Sequence, residues 1–184
     1  MTRMNRPRIR CLAIALTLAS MPSWGAQRQS ETSAAPVPAL IVSAKKVFIS
    51  NAGGGCSPFG NVVFSGGPNR PYNQFSAALK GWGRYELVAA PADADLAFEI
   101  SFTCPSAGMN GGSRPPTNDP QLRLVILDVK THITLWGITE HVELAMMQGN
   151  RDKNFDRAMK KLTDDLKSLA AGSPPPSAGV ATGP

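Results

Sequence analysis

The sequence predicts an α+β fold: a two-layer sandwich, with a mixed sheet of about five strands and two helices packed on one face. Three observations lead there. Residues 95–103 alternate, with Leu96, Phe98, Ile100 and Phe102 on one side and Ala97, Glu99, Ser101 and Thr103 on the other. That is a strand with one dry face and one wet face, which argues against helices covering both sides. Two segments, residues 71–82 and residues 151–169, carry apolar side chains at helical spacing along a single stripe. The elements then read strand, helix, four strands, helix.

The folded part is expected over residues 41–171. Residues 45–50 form a short strand, with Val47 and Ile49 on one face. A long glycine-rich loop follows over residues 51–70, with a further short strand expected at Val62, Val63 and Phe64. In the first helix Phe75, Ala78, Leu79 and Trp82 make the stripe, Pro71 suits the first turn, and Gly81 or Gly83 can close the end. Residues 85–88 are the next strand, and the alternating strand comes after a small-residue corner. A second long loop, residues 104–120, leads into residues 121–144, which read as two strands around a polar turn at residues 128–132. On the return strand Trp136, Ile138, Val142 and Leu144 share the parity expected for the core, and Thr139, His141 and Glu143 the parity expected for water. The last helix is expected from about Arg151, capped by Asn150, with Asp152 favourable near its positive end. Phe155, Ala158, Met159, Leu162, Leu166 and Leu169 form its stripe.

Charge says more about destination than about ligand. The formal net charge is +6, yet Arg3, Arg6, Arg8 and Arg10 crowd the first ten residues. Without them 15 basic side chains face 13 acidic ones, a net of +2. So small an excess leaves no footprint for a phosphate backbone, and no nucleic-acid partner is expected. The basic start, the apolar residues 11–19 and the small residues around Gly25 and Ala26 read as a cleaved signal peptide over residues 1–26. The apolar run falls short of the about 20 residues of a membrane-spanning helix, so no transmembrane segment is expected. Cys11 stands at the start of that run, whereas a lipidated cysteine would follow it. The expected location is therefore periplasmic or secreted. Residues 27–40 read as a flexible linker, and residues 172–184, rich in Pro, Gly and Ser, as a disordered tail.

Export changes how the remaining cysteines are read. Cys56 and Cys104 are an even pair in a compartment that permits disulfides. Each opens or sits within one of the two long loops. If the strands preceding those loops run parallel, the loops leave the sheet at the same end and the two cysteines meet there. A Cys56–Cys104 bridge is expected, with Gly53, Gly54, Gly55 and Pro58 on one loop and Pro105, Met109, Asn110 and Arg114 on the other as candidates for a binding surface.

Catalytic signatures are not found. The clusters Gly53–Gly55 and Gly66–Gly67 lack the Lys-Ser/Thr of a phosphate loop and the spacing of a dinucleotide fingerprint. His132 and His141 are the only histidines, and a metal would need a third ligand converging on one of them. Glu99 has the right parity for that role, although the pattern does not make its strand a neighbour. Asp164 and Asp165 are adjacent on a helix and diverge. No cofactor and no metal are expected.

Residues 45–50, 72–83, 85–88, 92–102 and 122–142, followed by a terminal amphipathic helix, resemble the small α/β domains of bacterial exported proteins of the CsgG and TolB amino-terminal type. The features that carry the resemblance are Ala94-Asp95-Leu96 leading a strand and a hairpin with Asp128, Thr131 and Trp136. The resemblance covers residues 45–169. It implies a non-catalytic assembly or binding module at the envelope and carries over no catalytic residue. Many such proteins are lipid-anchored, and this chain departs from them there. The expected function is thus an exported, non-enzymatic module that binds a protein or envelope component, in an oligomeric state the sequence does not give. The alternative is a small hydrolase or metal-dependent enzyme using His132 or His141 with a carboxylate.

Overall fold

Eight residues of perfect alternation become the middle of the sheet. In a computed structural model, which describes residues 35–56, 64–107 and 117–175, β3 (Leu96–Thr103) buries Leu96, Phe98, Ile100 and Phe102 in strict turn. Each such side chain contributes about 1.5–3 kcal/mol by leaving water. β1 (Lys46–Asn51) lies parallel to β3, and β2 (Glu86–Val88) lies parallel to β1 at the edge. On the other side β6 (Gln121–Asp128) and β7 (Thr134–His141) run antiparallel in turn. The sheet order is β2-β1-β3-β6-β7. A mixed five-stranded sheet with helices on one face is the α+β sandwich expected.

The helices supply the second layer. α2 (Arg70–Trp82) seats Pro71, Phe75 and Leu79 in the core and ends at Gly83, whose φ of 69° is the left-handed cap a glycine takes without strain. α3 (Gln148–Ala170) buries the whole expected stripe from Phe155 to Leu169. A short α1 (Ala39–Ser43) precedes β1 and places Ile41 in the same core, with Val37 and Leu40 beside it. Packing therefore begins ahead of residue 41. A two-residue ladder joins β4 (Ser106–Ala107) to β5 (Thr117–Asn118).

Several local expectations change. α3 begins at Gln148, three residues before Arg151, because the carbonyl of Met147 already accepts the N–H groups of Asn150 and Arg151 at 3.1 Å. Asn150 is thus inside the first turn and not its cap. Phe64 lies in a bend and packs in the core; Val62 and Val63 fall outside the described residues. On the hairpin, Ile138 and Val142 are buried as their parity requires, while Trp136 is only half-buried and Leu144 is exposed. Leu144 escapes the core because β7 ends at His141 and the Val142 N–H makes a last bond to the Pro120 carbonyl, 2.8 Å away. Beyond that point strand parity no longer governs.

The two motif segments behind the resemblance are structural. The Asp95 carboxylate accepts the N–H groups of both Lys45 and Lys46 at 2.9 Å, pinning the start of β1 to β3. The Lys46 and Lys45 amides hold its pKa below the ordinary value. Asp128 closes the hairpin turn, accepting the Lys130 N–H at 2.9 Å and the Thr131 hydroxyl at 2.8 Å. The turn also holds His132 at a φ of 57°.

Candidate functional site

Strand directions gather the unusual features at one end of the sheet. β1, β3 and β7 finish there, β6 starts there, and α2 and α3 both begin there. Both long loops leave from this end, because β1 and β3 are parallel neighbours. Cys56 and Cys104 are joined as a disulfide across it, with Cα atoms 5.0 Å apart and 48 residues between them.

The glycine loop is fastened as it leaves the sheet. Ala52 donates to the Ile100 carbonyl at 3.0 Å, and the Gly53 carbonyl accepts from Phe102 at 3.1 Å, so the ladder runs past the end of β1. The Gly53 N–H turns back to the Asn51 side chain at 3.0 Å. Gly54, with φ at 114°, lies so close to β3 that a Cβ would collide with the Phe102 carbonyl oxygen. Gly55 meets nothing within 4 Å. Two of the three glycines thus serve close approach and backbone shape. Pro58 lies outside the described residues.

The second loop is pinched at its base. β4 pairs with β5, and the Pro105 carbonyl accepts the Asp119 N–H at 3.1 Å. Met109, Asn110 and Arg114 lie outside the described residues. Asp119 then ties the loop to β7, with its carboxylate 2.9 Å from His141 Nδ1 and accepting from the Gln121 amide at 2.7 Å. Burial pushes the Asp119 carboxyl up, but the His141 and Gln121 bonds together hold it below its ordinary value.

A third feature of this end had no expected role. After β7 the chain leaves Leu144 60% exposed, Met146 98% and Met147 72%. Beside them is a hollow of about 280 Å³ between the end of β7 and α3, lined by Glu140, His141, Glu143, Asn154, Arg157 and Lys161. Its charges are paired: Lys161 Nζ is 2.6 Å from the buried carboxylate of Glu140, and Arg157 is 3.3 Å from Glu143.

Arg70, the first residue of α2, ties that helix to the N-terminal half of α3. Its guanidinium reaches Asp152 at 2.8 Å and Asp156 at 2.7 Å, and stacks over the Phe155 ring at 4.7 Å. Asp152 also accepts the N–H and the hydroxyl of Ser65. The Ser65 hydroxyl and N–H, then Arg70 and Gln148, hold the Asp152 carboxyl down at about 2.

The rival constellation does not assemble. His132 and His141 stand at opposite ends of β7, and β6 separates Glu99 on β3 from β7. Among the described residues no three His, Cys, Asp or Glu side chains are grouped to hold a metal ion.

Asp119, Arg70 and the Glu140–Lys161 pair were missed at the sequence level. Glu140 alone left a signal, as a charge on the same parity as Ile138 and Val142.

No protein-family model matches the chain, and no curated protein matches it. Solved structures similar to it include a PelC dodecamer from Paraburkholderia phytofirmans, 14% identical over 66% of this chain and 87% of that one, with a TM-score of 0.42. The LpoB C-terminal domain from Salmonella enterica is 15% identical over 54% of this chain and 82% of that one, with a TM-score of 0.35. TolB from Acinetobacter baumannii is 12% identical over 70% of this chain and 28% of that one, also at 0.35. At such scores none of them bears on what this chain does.

Proposed function

We propose that the chain is an exported, non-catalytic module of the bacterial cell envelope that binds a protein partner through the loop end of its sheet. The observation that carries this reading is the exposed run Leu144, Met146 and Met147 at the end where the disulfide holds both long loops. Unbranched, polarisable methionines suit a surface that packs against another protein. The Cys56–Cys104 bond fits an oxidising compartment, and the basic, apolar and small residues of positions 1–26 fit a cleaved leader. The likeness to CsgG rests on the sequence pattern alone.

The bridge supports binding by fixing the bases of the two loops at one end of the sheet. Gly53, Gly54, Gly55, Pro58, Pro105, Met109, Asn110 and Arg114 are proposed to contribute to the recognition surface. His141 and Asp119 are the nearest approach to acid–base chemistry, but both side chains are open to solvent, and the carboxylate is engaged in closing the loop.

The test is affinity capture from envelope extract with the wild-type chain and with Met146→Asp/Met147→Asp in parallel, read by quantitative mass spectrometry. A protein retained by wild type and depleted at least about tenfold with the variant is expected, since two buried apolar contacts are lost. Capture of the same proteins by both chains, or of none, overturns the reading. A His132→Ala chain should retain the partner.

A further inference from the structure

The two edges of the sheet are built differently. β2 spans three residues, Glu86–Val88, which is too short to template another strand. β7 spans eight, and among the described residues no strand pairs with its outer side. A bulge at Leu135, where the register to β6 slips between Ile126 and Leu127, leaves Trp136–His141 as a regular ladder edge. That run holds no proline and no lysine, and its one carboxylate, Glu140, turns inward to Lys161.

We propose that β7 pairs antiparallel with β7 of a second copy of this chain, joining two five-stranded sheets into one across a twofold axis. The flanking residues choose this occupant. Ile133, just before β7, and Leu144, just after it, are each 60% exposed. A twofold that keeps the apolar faces continuous passes through Ile138 or Thr139, since opposed residues must share a face. Either register brings Ile133 of one copy towards the segment that follows β7 of the other, where Leu144 is exposed, and the symmetry makes this contact twice. The helix layer accepts the same operation. Lys161 and Arg157 flank β7 already neutralised by Glu140 and Glu143, so the two copies present paired charges to one another.

Leu144 is common to this inference and to the proposed recognition surface, but Ile133 lies at the opposite end of β7 from the methionine run, so Ile133→Lys tests the dimer alone. Sedimentation equilibrium of the purified chain, disulfide intact, should show a reversible monomer–dimer equilibrium across the micromolar range. Ile133→Lys should weaken the dimer at least about tenfold, because the change removes an apolar contact twice per dimer. Hydrogen exchange of the amides of residues 136–141 should slow as the wild-type concentration rises and stay unchanged in the Ile133→Lys chain. A monomer at every concentration, a dimer indifferent to Ile133→Lys, or open-ended higher oligomers overturns the proposal.

Discussion

Among the described glycines Gly54 carries the tightest steric condition, and its neighbour carries none. At Gly54 any side chain meets both an unfavourable φ and the Phe102 carbonyl, whereas Gly55 faces open space. Gly54→Ala should therefore destabilise the fold by more than about 2 kcal/mol, and Gly55→Ala should change it by less than about 1 kcal/mol, in urea unfolding of the two variants. Equal effects would mean that the glycine loop is not seated on β3. Trp136 sets a second condition at this scale. It packs against the core but is half-buried, so Trp136→Ala should cost about 2 kcal/mol and not the 3–5 kcal/mol of a fully buried tryptophan. A cost at the upper figure would place the indole deeper than β7 puts it.

Elements report what a one-dimensional pattern can and cannot show. β3 and the stripe of α3 were legible because each repeats a local period, two for the strand and 3.6 for the helix, and burial follows that period wherever the element persists. Leu144 was misread because parity was extended beyond the last ladder bond, which depends on Pro120, 22 residues away from Val142 in the chain. The start of α3 was missed for a related reason: Gly149 and Asn150 are poor helix formers, and tertiary contacts outweigh them. Arg70 bonds Asp152 across 82 residues, and no local pattern reveals such a partner. That contact has its own test in pH. The Asp152 pKa is lowered in the folded chain, to about 2, so its stabilisation is fully present above the ordinary carboxylate pKa of about 3.9 and is lost as pH falls through the folded value. The stability gap between wild type and Asp152→Asn should be constant near neutrality and should narrow from about pH 4 towards pH 2. A gap of fixed size down to pH 2 would show that Asp152 is not the titrating partner of Ser65 and Arg70.

At the scale of the whole molecule, the fold separates two ends. One end holds α1, the hairpin turn around Asp128 and the exit of α3; the other holds the disulfide, the two loop bases and the methionine run. The disulfide belongs to the account of stability as well as of function. Closing 48 residues should stabilise the chain by about 4 kcal/mol on the chain-entropy model. Cys56→Ser/Cys104→Ser should then fold with a lowered denaturation midpoint, and the unreduced, denatured wild type should yield no titratable thiol from this pair. Two reactive thiols there would remove the bridge from the account. The central claim, that the loop end meets a protein in the envelope, is tested most directly by a photo-crosslinking residue placed in living cells at position 146, with position 80 on the exposed far end of α2 as the comparison. The account predicts a discrete adduct to another protein from position 146 and none from position 80. No adduct from position 146, or the same adduct from both positions, would contradict it.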